Sequence, residues 1–178
     1  MVLVITFLLD SVVGFFTLLL LLRFLMQLNR VSFANPVGSF VVQTTNWLVT
    51  PLRRVIPSVM GLDLASLIPA WLLQCLLLWV VYYLRSSLIV IDDGMLVLLV
   101  LWRGVMGALR IAVWIYIGAL FLQAVMSWIN PYSPLTAPVS QLTRPLLRPI
   151  QRFLPPIANI DLSPLVAIVL LQAFLLLL

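Results

Sequence analysis

The chain has no Lys, no Glu and no His, and a single Cys among its 178 residues. Without histidine, a Ser-His-Asp triad and any ordinary zinc site are excluded; with one Cys, a Cys-x-x-Cys-His haem attachment and an internal disulfide are excluded as well. No Gly-rich phosphate loop is present. Charge is scarce at 8% of residues, all ten cations being Arg and all five anions Asp. The arginines are scattered, with no basic run and no aromatic stacking surface beside them, so the net charge of +5 does not describe a nucleic-acid-binding surface. Catalytic residues, metal ligands and cofactor sites are all lacking, and the chain reads as non-enzymatic.

Apolar residues are what it has in abundance, at 64% of the chain with a mean hydropathy of +1.23. A soluble globule of this size could not cover such a core with the polar residues left over, so lipid supplies the missing solvent. A hydrocarbon core of about 30 Å takes about 20 helical residues. The run Met1 to Leu28, broken only by Asp10 and Arg23, meets that length. No cation precedes it and no small-x-small cleavage pattern ends it, so it is expected to be a permanent anchor. A second run, Leu64 to Leu84, ends in Trp79, Tyr82, Tyr83 and Arg85, the pattern of a headgroup boundary. Cys75 lies inside it, as an inert buried thiol.

Four spans are expected, at about 3–28, 64–84, 111–129 and 161–178. The apolar part of the last, from Pro164, covers only about 22 Å at 1.5 Å per residue. Residues 87–110 read as an interfacial or helix-extending linker, in which Arg103 and Arg110 share a helical face. Asp92 and Asp93 argue against a fifth crossing there.

Laid against itself with a shift of 98 residues, the chain matches at Pro36/Pro134, Gln43/Gln141, Thr45/Thr143, Pro51/Pro149, Arg54/Arg152, Pro57/Pro155, Asp63/Asp161 and Gln74/Gln172, among others. These residue types are rare or costly near membranes, and their unchanged spacing points to an internal duplication. The expected architecture is an all-α membrane protein of four transmembrane helices, arranged as two parallel helix-loop-helix repeats, 1–86 and 111–178. Two crossings return the chain to its starting side, so the copies share one orientation.

Each loop is expected to carry a short interfacial amphipathic helix and a Pro-bounded turn. Asn35-Pro36 opens the first helix as cap and first turn, Val37, Phe40, Val41, Thr44 and Leu48 form its apolar face, and Pro51 ends it. In the second copy Ser133-Pro134 opens the element, and Pro138 and Pro145 leave it kinked or only partly helical. The turns Pro51 to Pro57 and Pro149 to Pro155 each hold an Arg at the same place, with Asp63 and Asp161 nine residues after Arg54 and Arg152. Either these groups pair, within a copy or across the pseudo-twofold axis, or Asp caps the coming helix while Arg meets lipid phosphate. Arg53, Arg54, Asp63, Arg148, Arg152 and Asp161 are therefore the candidate contacts for a partner or a lipid headgroup.

Three polar residues are candidates inside the membrane. Asp10 is either an intramembrane carboxylate or the cap of a span that begins there. Gln74 and Gln172 are expected to bond between helices, to each other across the pseudo-axis if the geometry allows. Gly104 and Gly107 lack the four-residue spacing of a small-residue dimer face. Seven of the ten arginines lie in 23–63 and 130–163, which predicts cytoplasmic long loops and periplasmic termini. The bilayer is the expected partner, and other membrane proteins or further copies of the chain are compatible with this layout.

Arg-Arg-Val-Ile-Pro, the later Asp-Leu-Ala-Ser and Asp-Leu-Ser-Pro, and the duplicated layout resemble the YggT family of bacterial membrane proteins over almost the whole chain. The family's signature positions correspond to Asn35, Pro36, Pro51, Arg53, Arg54, Pro57, Asp63 and Ser66, and to Pro149, Arg152, Pro155, Asp161, Ser163 and Pro164; Gln151 stands where the first copy has Arg53. The resemblance implies a bacterial cytoplasmic (inner) membrane location. It also implies kinship with plastid factors that help attach haem to a b-type cytochrome, and links to osmotic adaptation, potassium uptake and cell-division clusters. Two roles follow: an assembly factor or scaffold acting through its loops, and a component or regulator of ion or osmolyte transport.

Overall fold

The computed structural model describes residues 2–56, 61–85, 93–130, 133–153 and 161–178, and six helices account for nearly all of them. They are α1 (Val2–Leu28), α2 (Pro36–Val55), α3 (Leu64–Arg85), α4 (Asp93–Ile129), α5 (Thr136–Phe153) and α6 (Ser163–Leu177).

The first helix is an unbroken apolar run, and its end is set by backbone chemistry. The Val31 N–H donates to Met26 O at 2.8 Å and the Arg30 N–H to Gln27 O at 3.0 Å, with Arg30 in the left-handed region at φ 55°. This is the Schellman termination, with an arginine where glycine is favoured. Five residues on, Asn35 accepts the Gly38 N–H at 2.9 Å and Pro36 fills the first turn, so α2 starts where its cap signal stands. Gly38 is required there, because a Cβ would come within 2.7 Å of the Phe33 backbone.

Among the described residues, three helices are long and apolar enough to cross a membrane, Val2–Leu28, Leu64–Leu84 and Gly94–Ser127, and α6 is a shorter apolar helix of 15 residues. Their outward faces are apolar, with Leu3, Trp102 and Leu176 among the most exposed side chains. Such a surface needs lipid against it. α3 is flanked by α1 and α4, while α5 and α6 pack on α4. A main core gathers Leu20, Leu21, Leu25, Ala70, Ala108 and Ile115 from α1, α3 and α4, and a smaller one joins Leu120, Leu147 and Ala167 from α4, α5 and α6.

Several elements differ from the sequence reading. Of the two forms expected for the linker, residues 93–110 take the helix-extending one and not a separate interfacial one: they continue without a break into the expected third span, making α4 a single helix of 37 residues. At 1.5 Å per residue it is about 55 Å long, well beyond a hydrocarbon core of about 30 Å. Gly104 and Gly107 are used within the chain, where they admit Cys75 and Gln74 of α3; a Cβ at Gly107 would meet Gln74 Oε1 at 2.8 Å.

Pro51 does not end α2, which continues to Val55 and closes with the Ile56 N–H on Leu52 O. Pro138, Pro145 and Pro149 likewise lie within a continuous α5. Pro138 is in the first turn, where no N–H is needed, and Pro51, Pro145 and Pro149 sit on exposed faces, where the carbonyls they orphan can be solvated. The segments expected as Pro-bounded turns are thus the last turns of α2 and α5; Pro57 and Pro155 lie outside the described residues. The face α2 buries is also rotated from the expected one. Gly38, Val41, Thr45 and Val49 point inward, while Val37, Phe40 and Trp47 stay exposed as an apolar flank. Trp47 meets Phe16 of α1 edge to face at 6.3 Å.

Candidate functional site

Arg23 lies in the next-to-last turn of α1 and is 4% exposed. Its Nη1 donates to Thr45 Oγ1 at 2.7 Å and to Asn46 Oδ1 at 3.0 Å, both on α2. Thr45 in turn donates to Val41 O at 2.6 Å, so the hydroxyl is used as acceptor and donor at once. Arg23 Nε is buried with no partner among the described residues. This residue was read as a loop cation. Buried in α1, it drops out of that count, and the long loops hold Arg30, Arg53, Arg54, Arg144, Arg148 and Arg152 against Arg85, Arg103 and Arg110 elsewhere.

One turn further along α1, Gln27 Oε1 accepts from Arg53 Nη2 at 3.1 Å. Arg53, at the end of α2, also makes the only salt bridge among the described residues, Nη2 to Asp63 Oδ2 at 2.7 Å. Asp63 is buried and stands at the entry to α3, where its Oδ2 also accepts the Ser66 hydroxyl at 2.7 Å and its carbonyl accepts the Ser66 N–H. Burial works against the ionised form of Asp63, but the hydrogen bonds from Arg53 and Ser66 and the charges of Arg53 and Arg23 outweigh it and hold the carboxyl below its ordinary value. Two guanidinium groups, one carboxylate and four neutral polar side chains thereby tie α1, α2 and the start of α3 together.

The positions 98 residues on carry a second version, in which a carboxamide stands where the first has a guanidinium. Gln151 Nε2 donates to Asp161 Oδ2 at 2.9 Å, as Arg53 does to Asp63, and Asp161 Oδ1 accepts the Ser163 N–H at 2.9 Å to cap α6. Burial of Asp161 is again outweighed, by hydrogen bonds from Ser163 and Gln151, and its carboxyl also lies below the ordinary value. Thr143 donates to Gln123 of α4, as the matching Thr45 meets Arg23. Where the first cluster uses Arg53 and Arg23, the second uses Gln151, which keeps the 98-residue register, and Gln123, which stands two residues beyond Phe121, the register position of Arg23.

Of the residues expected to form the site, Arg53 and Asp63 are brought together, and Asp161 pairs with Gln151 rather than with Arg152. The alternative in which Asp caps the coming helix also holds at Asp161. Arg54, Arg148 and Arg152 are exposed and have no side-chain partner among the described residues. Asp10 is no cap: α1 begins at Val2, and Asp10 stands exposed in its interior, on a cleft of about 390 Å³ with Thr6, Phe7 and Leu77. Gln74 bonds Thr17 Oγ1 at 3.2 Å rather than Gln172, which is exposed on α6.

Two stretches of the chain, residues 2–84 and 102–178, match the CCB3/YggT family model. The chain belongs to the CCB3/YggT family. It is 38% identical to the YggT protein of Escherichia coli (strain K12) over 167 residues, covering 93% of this chain and 84% of that one. It is 33% identical to protein PA0392 of Pseudomonas aeruginosa over 168 residues, covering 93% and 83%. A protein encoded in the proC 3′ region of Vibrio alginolyticus is 34% identical over 170 residues, 94% of this chain and 89% of its own. No solved structure matches. The family assignment agrees with the apolar helices and carries no activity of its own.

Proposed function

We propose that this CCB3/YggT chain is a non-enzymatic scaffold of the bacterial inner membrane, built as two parallel helix-loop-helix repeats whose loop helices α2 and α5 hold acidic partner surfaces or lipid headgroups at the cytoplasmic face. One observation carries this reading: the aspartates of both clusters are already engaged within the chain, Asp63 buried by Arg53 and Asp161 exposed beside Gln151, while Arg54, Arg144, Arg148 and Arg152 stand exposed on α2 and α5. On α5 the three arginines recur every four residues and line one helical face about 12 Å long. Guanidinium groups with no internal partner are suited to carboxylate or phosphate, which they grip in two-pronged fashion. The cation balance, six arginines in the long loops against three elsewhere, favours cytoplasmic loops and periplasmic termini.

Co-purification from native membranes tests the role. Membrane proteins retained by the wild type are expected to be lost from the Arg54→Ala/Arg152→Ala variant at unchanged expression. A path for ions or osmolytes is the second reading, favoured by the interior position of Asp10 on its cleft. Potassium flux into liposomes by the purified chain, abolished by Asp10→Asn, would establish that reading and overturn the scaffold.

A further inference from the structure

Where α4 meets α5, Gln123, Ser140, Gln141, Arg144, Leu147 and Gln151 line an open pocket of about 230 Å³. We infer that this pocket binds the phosphodiester headgroup of an anionic phospholipid. The inference deepens the scaffold reading and rests on it only for placing α5 at headgroup level.

The lining chemistry selects an anion. Three carboxamides, one hydroxyl and one guanidinium face the space, and none of the six lining residues is a carboxylate. Asp161, the acid that Gln151 contacts, is already engaged by Gln151 and Ser163. Gln123 accepts from Thr143 through Oε1, which leaves its amide nitrogen as a donor. Gln151 ties down one end of the wall through its bond to Asp161. A phosphate seated beside Arg144 would receive charge-assisted hydrogen bonds from the guanidinium and neutral ones from the amides.

The first half arranges the same contact differently. There, the protein's own Arg23 fills the space and donates to Thr45 and Asn46. In the second half Thr143 is met from α4 by the shorter, neutral Gln123, two residues out of the 98-residue register, and Asn46 is matched by Arg144. The cationic group of the first cluster is the buried Arg23, whereas in the second half it is the exposed Arg144 at the rim of an open pocket. Gln123 takes the part of Arg23 by contact and not by register, since 20 residues separate it from Thr143 and 22 separate Arg23 from Thr45.

A lipid fits better than a soluble anion because the pocket borders apolar surface. Next to Gln123 in sequence, Phe121 and Leu122 are exposed on α4, and Leu165 and Val169 are exposed on α6. Acyl chains have a surface to follow, and Arg148 extends the cationic line along α5.

The test titrates the purified full chain in mild detergent with phosphatidylglycerol, with phosphatidylcholine and with inorganic phosphate, following bound lipid by native mass spectrometry. Phosphatidylglycerol is expected to bind, with Arg144→Gln and Gln123→Leu each weakening it at least tenfold, Arg144→Lys recovering part of the loss, and Arg103→Gln on α4 leaving it unchanged. Phosphatidylglycerol binding that is equal in the wild type, Arg144→Gln and Gln123→Leu would overturn the site. Inorganic phosphate displacing the lipid at comparable concentration would overturn the lipid as its ligand. No phosphatidylglycerol binding by the wild type, with partner proteins still retained, sinks this inference and spares the scaffold; binding by a wild type that retains no partner spares the pocket.

Discussion

Arg53 reaches across ten residues to Asp63, Nη2 to Oδ2 at 2.7 Å, from the position at which Gln151 reaches Asp161 at 2.9 Å. A carboxamide thus does in one half what a guanidinium does in the other. Arg53→Gln is therefore expected to keep the α2–α3 connection, changing stability by less than about 1 kcal/mol, since the arginine is half exposed. Asp63→Ala leaves the buried Ser66 hydroxyl without its acceptor and should cost about 1–3 kcal/mol. Denaturant titration in detergent compares them; equal losses would contradict this assignment of roles.

Asp63 also sets a pH dependence. Its folded-state pKa lies below the ordinary value of 3.8, so on acidification the unfolded chain takes up a proton first. The contribution of Asp63 is present above about pH 4 and is lost as the pH falls through the folded-state value. Thermal unfolding followed downward from pH 5 should show the wild type losing stability more steeply than Asp63→Asn, and parallel curves would count against the ion pair.

Arg23 and Thr45 should be energetically coupled. Thr45→Val strips a buried guanidinium of its shortest hydrogen bond and is expected to cost about 1–3 kcal/mol. In an Arg23→Met background the same change should cost much less, because no buried charge remains to be satisfied. A double-mutant cycle that closes additively would show that the 2.7 Å contact carries no net energy.

The left-handed backbone at Arg30 offers a stabilising change. Arg30→Gly removes the Cβ strain of φ 55° while keeping both terminating hydrogen bonds, and a gain of about 0.5–1 kcal/mol is expected. The melting temperature in detergent should rise; a fall would mean that the arginine side chain contributes more than its backbone strain costs.

The parts legible in the sequence were those written in local chemistry. The runs around α1 and α3 and the Asn35-Pro36 cap depend on neighbours in sequence, and they appear where expected. Pro51, Pro145 and Pro149 misled because a proline breaks a helix only when the carbonyl it orphans has no solvent, and exposure is a tertiary property. Matching identical residues pointed to Arg54 and Arg152, whereas the working pair is Arg53 and Gln151, which share a task and not an identity. Arg23 and Gln74 find their partners 22 and 57 residues away, at Thr45 and Thr17, and no local pattern announces either contact.

The scaffold reading needs α2 and α5 on one side of the membrane, so their sidedness is the most direct test. In a Cys75→Ser background, single cysteines at Ser39 and Ser140 are treated in intact cells and in inverted vesicles with a membrane-impermeant thiol reagent. Both positions are expected to react only in inverted vesicles, where the cytoplasmic face is outermost. Reaction of the two from opposite faces would contradict the parallel arrangement, and with it the common surface on which the proposed function depends.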